Sequence, residues 1–554
     1  MAELPEVSVL IGGKAGDGIN SAGAIIAQLL NHLGYQIYLY FDYPSLIRGG
    51  HNYAVVRGSA DSVGACHDRV DFLLALSQET ITRHVPCVNE GAAVLFDSDR
   101  VKTEGQGLSL KAILKDEGAP EIMGNSAIIG GFAKAAGIEW PIVETVLRRH
   151  IRKGTDQNLL IAKHAYELVR TVRTIRRFPE APRALLTGNE AIALGLVHGG
   201  LDAYVSYPMT PSSSLLHVLA EERERFGIAV VHPENEIAVI LMALGFAYAG
   251  KRAAVGTSGG GFCLMTEGLS LAGQAEIPLV IVVSQRTGPS TGLPTYTGQS
   301  ELEFVLHAGQ GEFPRLIVAP GDAGEAFSWS AVAMDIAARF QIPSFILSDK
   351  TLSEGTYSME PGSAPDLPPG ENPPRWEGAA PYVRYADTPD GVSPVVPPGT
   401  KGAVVKVNSY THDEAGYTTE ESGITQRMAE KRQRKQDSLR AEMGRYPSVR
   451  VHGPASAPVA ILCWGSTKGV CGEVGTKLGF RVVRPVVLEP MPVDLLKQAL
   501  TGAQRVICVE ENATAQLAAL VTRQGILVHD TVLRYNGRPF TTDCLEAELR
   551  KVLP

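Results

Sequence analysis

Four polar, turn-forming segments hold the residues best suited to chemistry. Tyr207-Pro208-Met209-Thr210-Pro211-Ser212-Ser213-Ser214 brings a phenol and hydroxyls, and His232-Pro233-Glu234-Asn235-Glu236 brings carboxylates. Ser258-Gly259-Gly260-Gly261 exposes backbone amides, and the run from Gln285-Arg286 through Pro294-Thr295 brings a guanidinium and further hydroxyls. Each segment follows an apolar, strand-like run, and ligands of open α/β sheets bind where such strands end. A carboxylate, a guanidinium, hydroxyls and amides would then meet in one crevice. Each residue also has a plainer reading. Glu236 can be a first-turn acid favoured by the helix dipole, Thr210 a helix cap, and Arg286 half of an internal ion pair. Arg286 follows the apolar run Leu279–Val283, where a charge is costly unless something pairs with it, and a guanidinium suits a carboxylate.

The elements that would position these residues alternate between strand and helix. Strands are predicted at Ala203–Ser206, Ile228–Val231, Ala253–Thr257, Pro278–Ser284, Leu316–Val318 and Ser344–Leu347. Helices are predicted at Thr187–His198 and at Ser212–Phe226, the latter with Thr210 as N-cap and Pro211 at its first position. A long apolar helix, Glu236–Ala249, is capped by Asn235 and ended by Gly250, and another follows Gly261 to Gln274. This alternation predicts a parallel, doubly wound sheet.

Upstream, the apolar run Val7–Ile11 leads into Gly12-Gly13-Lys14-Ala15-Gly16-Asp17-Gly18 and then a helical stretch, Ile19–Leu33. Strand, glycine loop and helix can present N–H groups to a phosphate, but no Gly-Lys-Ser/Thr closes the loop. Anion binding and a plain tight turn both remain open. Apolar runs at Ile37–Phe41, Tyr53–Val56, Phe72–Leu76 and Ala92–Phe96 suggest a sheet, with helices at Ser126–Ala136 and Pro141–His150. The basic Arg170–Arg177 reads as a solvated helix end. Eleven prolines between Pro361 and Pro398 mark an extended linker. A polar module with Thr411-His412-Asp413-Glu414 and the charge run Glu430–Lys435 follows, then strand-like runs at Val459–Cys463, Val482–Leu488 and Arg505–Val509. The expected domains are 1–180, 182–353, a linker 354–403, a module 404–456 and a last α/β domain 457–554.

The bulk properties agree. A chain of 554 residues, 44% hydrophobic and 20% charged, is multidomain globular protein. A net charge of −8 argues against a general nucleic-acid binder. No apolar run approaches the roughly 18–20 residues of a membrane span, and Met1–Pro5 lacks a signal-type flank, which predicts a cytoplasmic protein. Seven scattered cysteines with no C-x-x-C pair fit a reduced compartment and give no obvious iron–sulfur ligand set.

Tyr207-Pro-Met-Thr-Pro-Ser-Ser, the Glu-Asn-Glu-Ile-Ala of 234–238 and the Gln-Arg-Thr-Gly-Pro-Ser-Thr-Gly-Leu-Pro-Thr of 285–295 resemble the α subunit of 2-oxoacid:ferredoxin oxidoreductases. The 2-oxoglutarate type, with a γ-like domain fused ahead of the α part, is most similar. Gly13-Lys-Ala-Gly-Asp-Gly-Ile and Tyr43-Pro44…Arg48-Gly49-Gly50 resemble that γ domain; Cys463-Trp-Gly-Ser and Val509-Glu-Glu-Asn resemble the family's transketolase-C-like last domain. The resemblance implies a pyrimidine-binding domain for thiamine diphosphate. In it Glu236 hydrogen-bonds the cofactor's ring, with Pro208 beside the cofactor, and the cofactor carries the carbanion chemistry. Arg286 would grip the substrate carboxylate, and Thr210, Thr295 and Tyr207 would line the same pocket. Gly13, Gly16 and Gly18 would serve coenzyme A. Gly16-Asp17-Gly18 looks like the start of a diphosphate–magnesium motif, but no Asn-Asn follows and it lies in the γ-like domain, so it reads as a decoy. The resemblance therefore assigns Mg2+ and a [4Fe–4S] cluster to a separate β subunit, with ferredoxin as acceptor and an (αβ)2 assembly. It implies 2-oxoglutarate + CoA + oxidised ferredoxin going reversibly to succinyl-CoA + CO2 + reduced ferredoxin. A non-catalytic scaffold, a non-oxidative thiamine decarboxylase, and oxidoreductases specific for pyruvate, branched-chain or aryl 2-oxoacids remain alternatives.

Overall fold

The computed structural model describes residues 4–46, 49–359, 370, 373–378 and 381–553. Arg48 of the γ-like motif and part of the proline-rich stretch lie outside these residues. The chain forms two compact units.

In the first unit, residues up to 186 are joined by 354–359 and 540–553. Its sheet runs Gln106–Leu108, Val88–Asp97, Val70–Ala75, Glu6–Lys14, His51–Ser59, Gln36–Asp42, Thr356–Met359, Ala184–Thr187. The 6–14 strand is parallel to 70–75 and antiparallel to 51–59. Helices Ile19–His32, Gly124–Ala135 and Thr155–Leu168 bring Ile26, Leu30, Ile128, Phe132 and Ile161 into one apolar core with the sheet. Such alternating strands bury one face against helices, which is what the spacing of their apolar residues requires. Three expectations change here. The stretch from 354 opens with a strand, Thr356–Met359, that pairs antiparallel with 36–42, because an open sheet edge offers unpaired amides. The last helix, Thr542–Val552, belongs to this unit, held by the Thr542 N–H to the Cys66 carbonyl and the Asp68 N–H to Asp543. Arg170–Arg177 is not a helix end: the helix stops at Leu168, and Arg173 pairs with Asp71 at 2.8 Å.

The second unit holds two sheets. The larger runs Val487–Glu489, Leu316–Val318, Pro343–Asp349, Leu279–Gln285, Ala253–Thr257, Ala203–Ser206, Ala229–Val231. All neighbours are parallel except 487–489, which adds antiparallel to the 316–318 edge. That edge strand comes from the segment expected to serve only the last domain. The smaller sheet runs Val449–His452, Arg481–Pro485, Val459–Leu462, Arg505–Glu510, Asp530–Leu533. One apolar core, including Val255, Ile281, Leu462 and Trp464, joins the two. The polar module contains a 22-residue helix, Ser422–Met443. Its charge run is not wholly solvated: Lys431 and Lys435 are buried and bind the buried carboxylate of Glu276.

In the larger sheet the 203–206 and 253–257 strands are neighbours, yet the chain leaves the first outward to 229–231 and leaves the second inward to 279–285. That reversal is a topological switch point, where connections part and open a crevice at the carboxyl ends of the strands. The Ser206 hydroxyl donates to the Gly256 carbonyl at 2.8 Å and stitches the two strands at this place.

Candidate active site

The four polar segments emerge from the carboxyl ends of four adjacent strands: 207–212 after 203–206, 232–236 after 229–231, 258–261 after 253–257, and 286–299 after 279–285. Asn235 caps the helix Glu236–Tyr248, its side chain accepting the Ala238 N–H at 3.0 Å. This cap fixes Glu236 at the helix start, where the side chain is buried to 4% exposure. Its Oε1 has no hydrogen-bond partner and lies against Gly261: a Cβ built there would sit 2.6 Å from Oε1 and 2.1 Å from Thr257 Oγ1. Glycine is required at this position by the close approach of the Thr257 hydroxyl and of the carboxylate.

Arg286 leaves the end of the 279–285 strand half-buried and donates from Nη1 to the Thr210 carbonyl at 2.8 Å. The tie joins the segments on either side of the glycine turn. Burial lowers the guanidinium's pKa, and Glu301 opposes that shift. Thr210 contributes a backbone carbonyl to this contact and is not the helix cap. Residues 209–212 form a turn with a cis Thr210–Pro211 bond, closed by the Ser212 N–H to the Met209 carbonyl at 2.8 Å. The helix starts at Ser213 with Ser212 at the cap position. Buried Asn189 holds the turn, donating to the Pro211 carbonyl at 2.8 Å and Ser214 Oγ at 2.7 Å.

Tyr207 is exposed at the mouth, its ring 5.8 Å from His232, and Pro208 is exposed beside it. Thr295 is buried in the loop that returns from Arg286. That loop is pinned by Gln299, which donates from Nε2 to the Trp464 carbonyl at 3.0 Å, donates its backbone N–H to the Glu511 carbonyl at 2.8 Å and accepts the Glu511 N–H at its side-chain Oε1 at 2.9 Å. The two motifs of the last domain also meet: Glu510 accepts from Trp464 Nε1, Asn512 Nδ2 and the amides of Leu517 and Ala518. Their work is to hold the scaffold. His412 of the 411–414 segment is likewise buried, its ring 3.8 Å from that of Tyr385.

Among the described residues, four buried polar atoms lack partners around the glycine turn: Glu236 Oε1, Ser258 Oγ, Arg286 Nε and Glu301 Oε2. Leaving such groups unpaired costs about 1–3 kcal/mol each, so their clustering marks a place built to receive a ligand. Glu301 was absent from the residues singled out in the sequence. It lies two residues beyond Gln299, without an apolar run or cap to flag it, and only the fold brings it to the turn.

In the first unit, Gly12 and Gly13 belong to the strand and not to the loop: Gly13 pairs with Asn52 and Lys14 with His51. The loop is Ala15–Gly18, where Gly16 and Gly18 have φ of 98° and 70°, a region that favours glycine. Asp17 turns inward, accepting the Lys14 N–H at 2.7 Å and pairing with Arg100 at 3.1 Å. Gly16 and Gly18 line a cleft of about 620 Å³ with Lys14, Arg152, Lys153 and Asn125; Gly13 does not. Among the described residues, three cations and no carboxylate line this cleft, so it suits an anion.

The middle segment, 195–431, matches the family model described as pyruvate flavodoxin/ferredoxin oxidoreductase, thiamine diphosphate-binding, and residues 8–168 match that of pyruvate ferredoxin/flavodoxin oxidoreductase. A 2-oxoacid:ferredoxin oxidoreductase α subunit of a Sulfolobus species is 31% identical, the alignment covering 99% of this chain and 97% of that one. The 2-oxoglutarate oxidoreductase subunit KorA of Mycobacterium tuberculosis is 27% identical over 99% and 92% of the two chains. The structure of 2-oxoglutarate:ferredoxin oxidoreductase from Magnetococcus marinus, with 2-oxoglutarate, coenzyme A and succinyl-CoA bound, superposes with a TM-score of 0.90 at 28% identity, over 99% of this chain and 100% of that one. The protein is thus a thiamine-dependent 2-oxoacid:ferredoxin oxidoreductase component, and the chain belongs to the family of its α subunits. An α subunit works with other subunits. Among the described residues no helix is long and apolar enough to cross a membrane, and no group of three or more His, Cys, Asp and Glu is arranged to hold a metal ion.

The residues fit the cofactor this family uses. A buried, partnerless carboxylate oxygen at the switch point matches the polar edge of an aminopyrimidine, and the glycines beside it leave room that a side chain would fill.

Proposed function

We propose that this chain is the α subunit of a 2-oxoglutarate:ferredoxin oxidoreductase, converting 2-oxoglutarate, CoA and oxidised ferredoxin to succinyl-CoA, CO2 and reduced ferredoxin, reversibly. The observation that carries the reading is the orphaned Glu236 Oε1, beside the glycine turn and one strand end from the Arg286–Thr210 tie. Thiamine diphosphate, when bound, supplies the stabilised carbanion chemistry of decarboxylation. Glu236 holds the cofactor's pyrimidine edge and fixes its protonation, a task that burial away from water favours. Arg286 binds the 2-oxoacid's carboxylate through the edge that still has a free Nε, while its Nη1 is held by Thr210. Thr210, Thr295 and Tyr207 line the pocket and Pro208 borders the cofactor. Coenzyme A is assigned to the basic cleft of the first unit, with Gly16 and Gly18 at the turn and Lys14, Arg152 and Lys153 facing its phosphates.

A β subunit would complete the site, bringing the diphosphate, Mg2+ and [4Fe–4S] groups, with ferredoxin as acceptor, an (αβ)2 assembly and a cytoplasmic location. The helix that begins at Glu236 supports a covering partner. It is apolar on every side, as buried helices are, yet Leu241 and Met242 are 42% and 44% exposed. Large apolar side chains exposed side by side on an otherwise apolar helix suit a protein interface. Purifying the chain with the subunit that copurifies, and assaying a panel of 2-oxoacids with CoA and a one-electron dye, tests the reading. Preference for 2-oxoglutarate supports it. Preference for pyruvate, branched-chain or aryl 2-oxoacids moves the specificity, and no 2-oxoacid activity overturns it.

A further inference from the structure

Glu301 completes a constellation that the family motifs do not explain. Its backbone N–H donates at 3.0 Å to Oε1 of Gln285, the buried residue just before Arg286, and Gln285 is itself fixed by donation to the Ser348 carbonyl at 3.0 Å. Its side chain lies against the first glycine of the 259–274 helix: a Cβ on Gly259 would be 2.8 Å from Glu301 Oε1. Oε1 accepts the Ser300 hydroxyl at 2.9 Å, whereas Oε2 is buried with no partner. The two site carboxylates therefore flank the same helix start, Glu236 at Gly261 and Glu301 at Gly259. They differ in surroundings, since Glu301 also faces the charge of Arg286.

We propose that Glu301 is the charge-balancing partner of Arg286, ionised while the guanidinium is free and protonated when the substrate's carboxylate occupies it. The inference rests on Arg286 being the carboxylate grip. Two carboxylates cannot both stay ionised beside one half-buried guanidinium without a large electrostatic cost. One proton taken up at Glu301 keeps the pocket near neutral, so 2-oxoacid binding is linked to proton uptake. The local groups favour this assignment. Burial raises the Glu301 carboxyl to about 7, against the pull of Ser300 and Arg286. From the helix 259–274 it meets Gly259. From its own helix, Leu302–His307, and from the helix Gln516–Arg523, the charged groups Glu303, His307 and Arg523 are engaged with one another. Gln516 is neutral and binds the Ser300 carbonyl and the Glu303 N–H. From the 343–349 strand, the buried Asp349 accepts the Leu352 N–H.

The sign follows from linkage. If substrate binding raises the pKa of Glu301, affinity is highest where the carboxyl is protonated and falls as pH rises through about 7, by up to roughly tenfold per pH unit. The test measures KM and kcat for the 2-oxoacid from pH 6 to 9 in the intact complex, for wild type, Glu301→Gln and Glu301→Asp. Wild-type KM is expected to rise above pH 7. In Glu301→Gln it is expected to stay level across the range and to lie several-fold below wild type at pH 8.5. Glu301→Asp should restore a pH-dependent KM. If Glu301→Gln keeps the wild-type pH dependence of KM, or if wild-type KM is flat, the proposal is wrong. A purely structural residue would lower kcat or stability without flattening the KM profile, and that outcome also overturns it. Failure of the whole reading would look different: no 2-oxoacid turnover by the wild-type complex at any pH.

Discussion

Replacing Gly261 by alanine tests the geometry of the site with one methyl group. Gly261 lies in the first turn of a helix, where alanine is ordinarily better than glycine by about 1 kcal/mol. Here the new Cβ would sit 2.6 Å from Glu236 Oε1 and 2.1 Å from Thr257 Oγ1, while ordinary contacts begin at 3.4 Å. The contact with Thr257, at the end of a buried strand with little freedom to move, falls short by about 1.3 Å and that with the carboxylate by about 0.8 Å, so both must give. Overpacking of this kind costs about 1–3 kcal/mol of stability. The functional loss is expected to be larger, because misplacement by roughly 1 Å costs on the order of 10²-fold in rate. Gly260→Ala is the internal control: the nearest atom to its Cβ is the Ser290 carbonyl oxygen at 3.9 Å, so stability should be unchanged or slightly higher and activity kept. The assay is 2-oxoacid- and CoA-dependent dye reduction by the complex, with thermal unfolding alongside. Near-wild-type activity in Gly261→Ala, or equal losses in Gly260→Ala and Gly261→Ala, would refute the placement of Glu236.

Arg286→Lys removes the planar fork and should raise KM for the 2-oxoacid at least about tenfold with a smaller effect on kcat, read from steady-state kinetics. Leu241→Glu combined with Met242→Glu puts charge on the exposed apolar face of the helix; it should abolish copurification of the partner subunit while leaving the thermal midpoint of the isolated chain unchanged. Gln299→Ala strips two side-chain hydrogen bonds, one to the Trp464 carbonyl and one from the Glu511 N–H, while its own N–H still reaches the Glu511 carbonyl, and should cost about 1–3 kcal/mol in denaturant unfolding. Glu276→Gln leaves Lys431, Lys435 and Arg384 buried around a neutral amide and should cost about 3–5 kcal/mol near neutral pH. Burial raises the Glu276 carboxyl, but Lys435, Lys431 and Arg384 outweigh it and hold the pKa far below 4.5. Its stabilisation is therefore present above pH 4.5 and lost progressively below it, so the gap between wild type and variant should narrow in acid.

Much of the site was legible because its signals are local. Asn235 before an apolar run announces a cap, and Glu236 follows from it. Arg286 at the end of Leu279–Val283 stands out because a charge there needs a partner, and the alternation of strands and helices gave the parallel sheet. The misreadings have local causes too. Thr210-Pro211 has the composition of a helix start, yet the Met209–Ser212 turn and the Arg286 bond claim its backbone. Gly12 and Gly13 look like loop residues, but ladder pairing with Asn52 and Tyr53 outweighs their weak strand preference. Non-local partnerships were not legible. Lys431 and Lys435 sit in a charge run, and nothing local shows that Glu276, some 155 residues earlier, meets them in the interior. Glu301 likewise gains its meaning only from Gly259 and Arg286.

The most direct measurement is the turnover of Glu236→Gln in the purified complex, with the variant's thermal midpoint matching wild type. Glutamine keeps the shape and burial of the side chain but cannot hold the cofactor's pyrimidine in the same protonation state. The account predicts that 2-oxoacid-dependent dye reduction falls by roughly 10²–10⁴-fold while the partner subunit still copurifies. Turnover within twofold of wild type would contradict it.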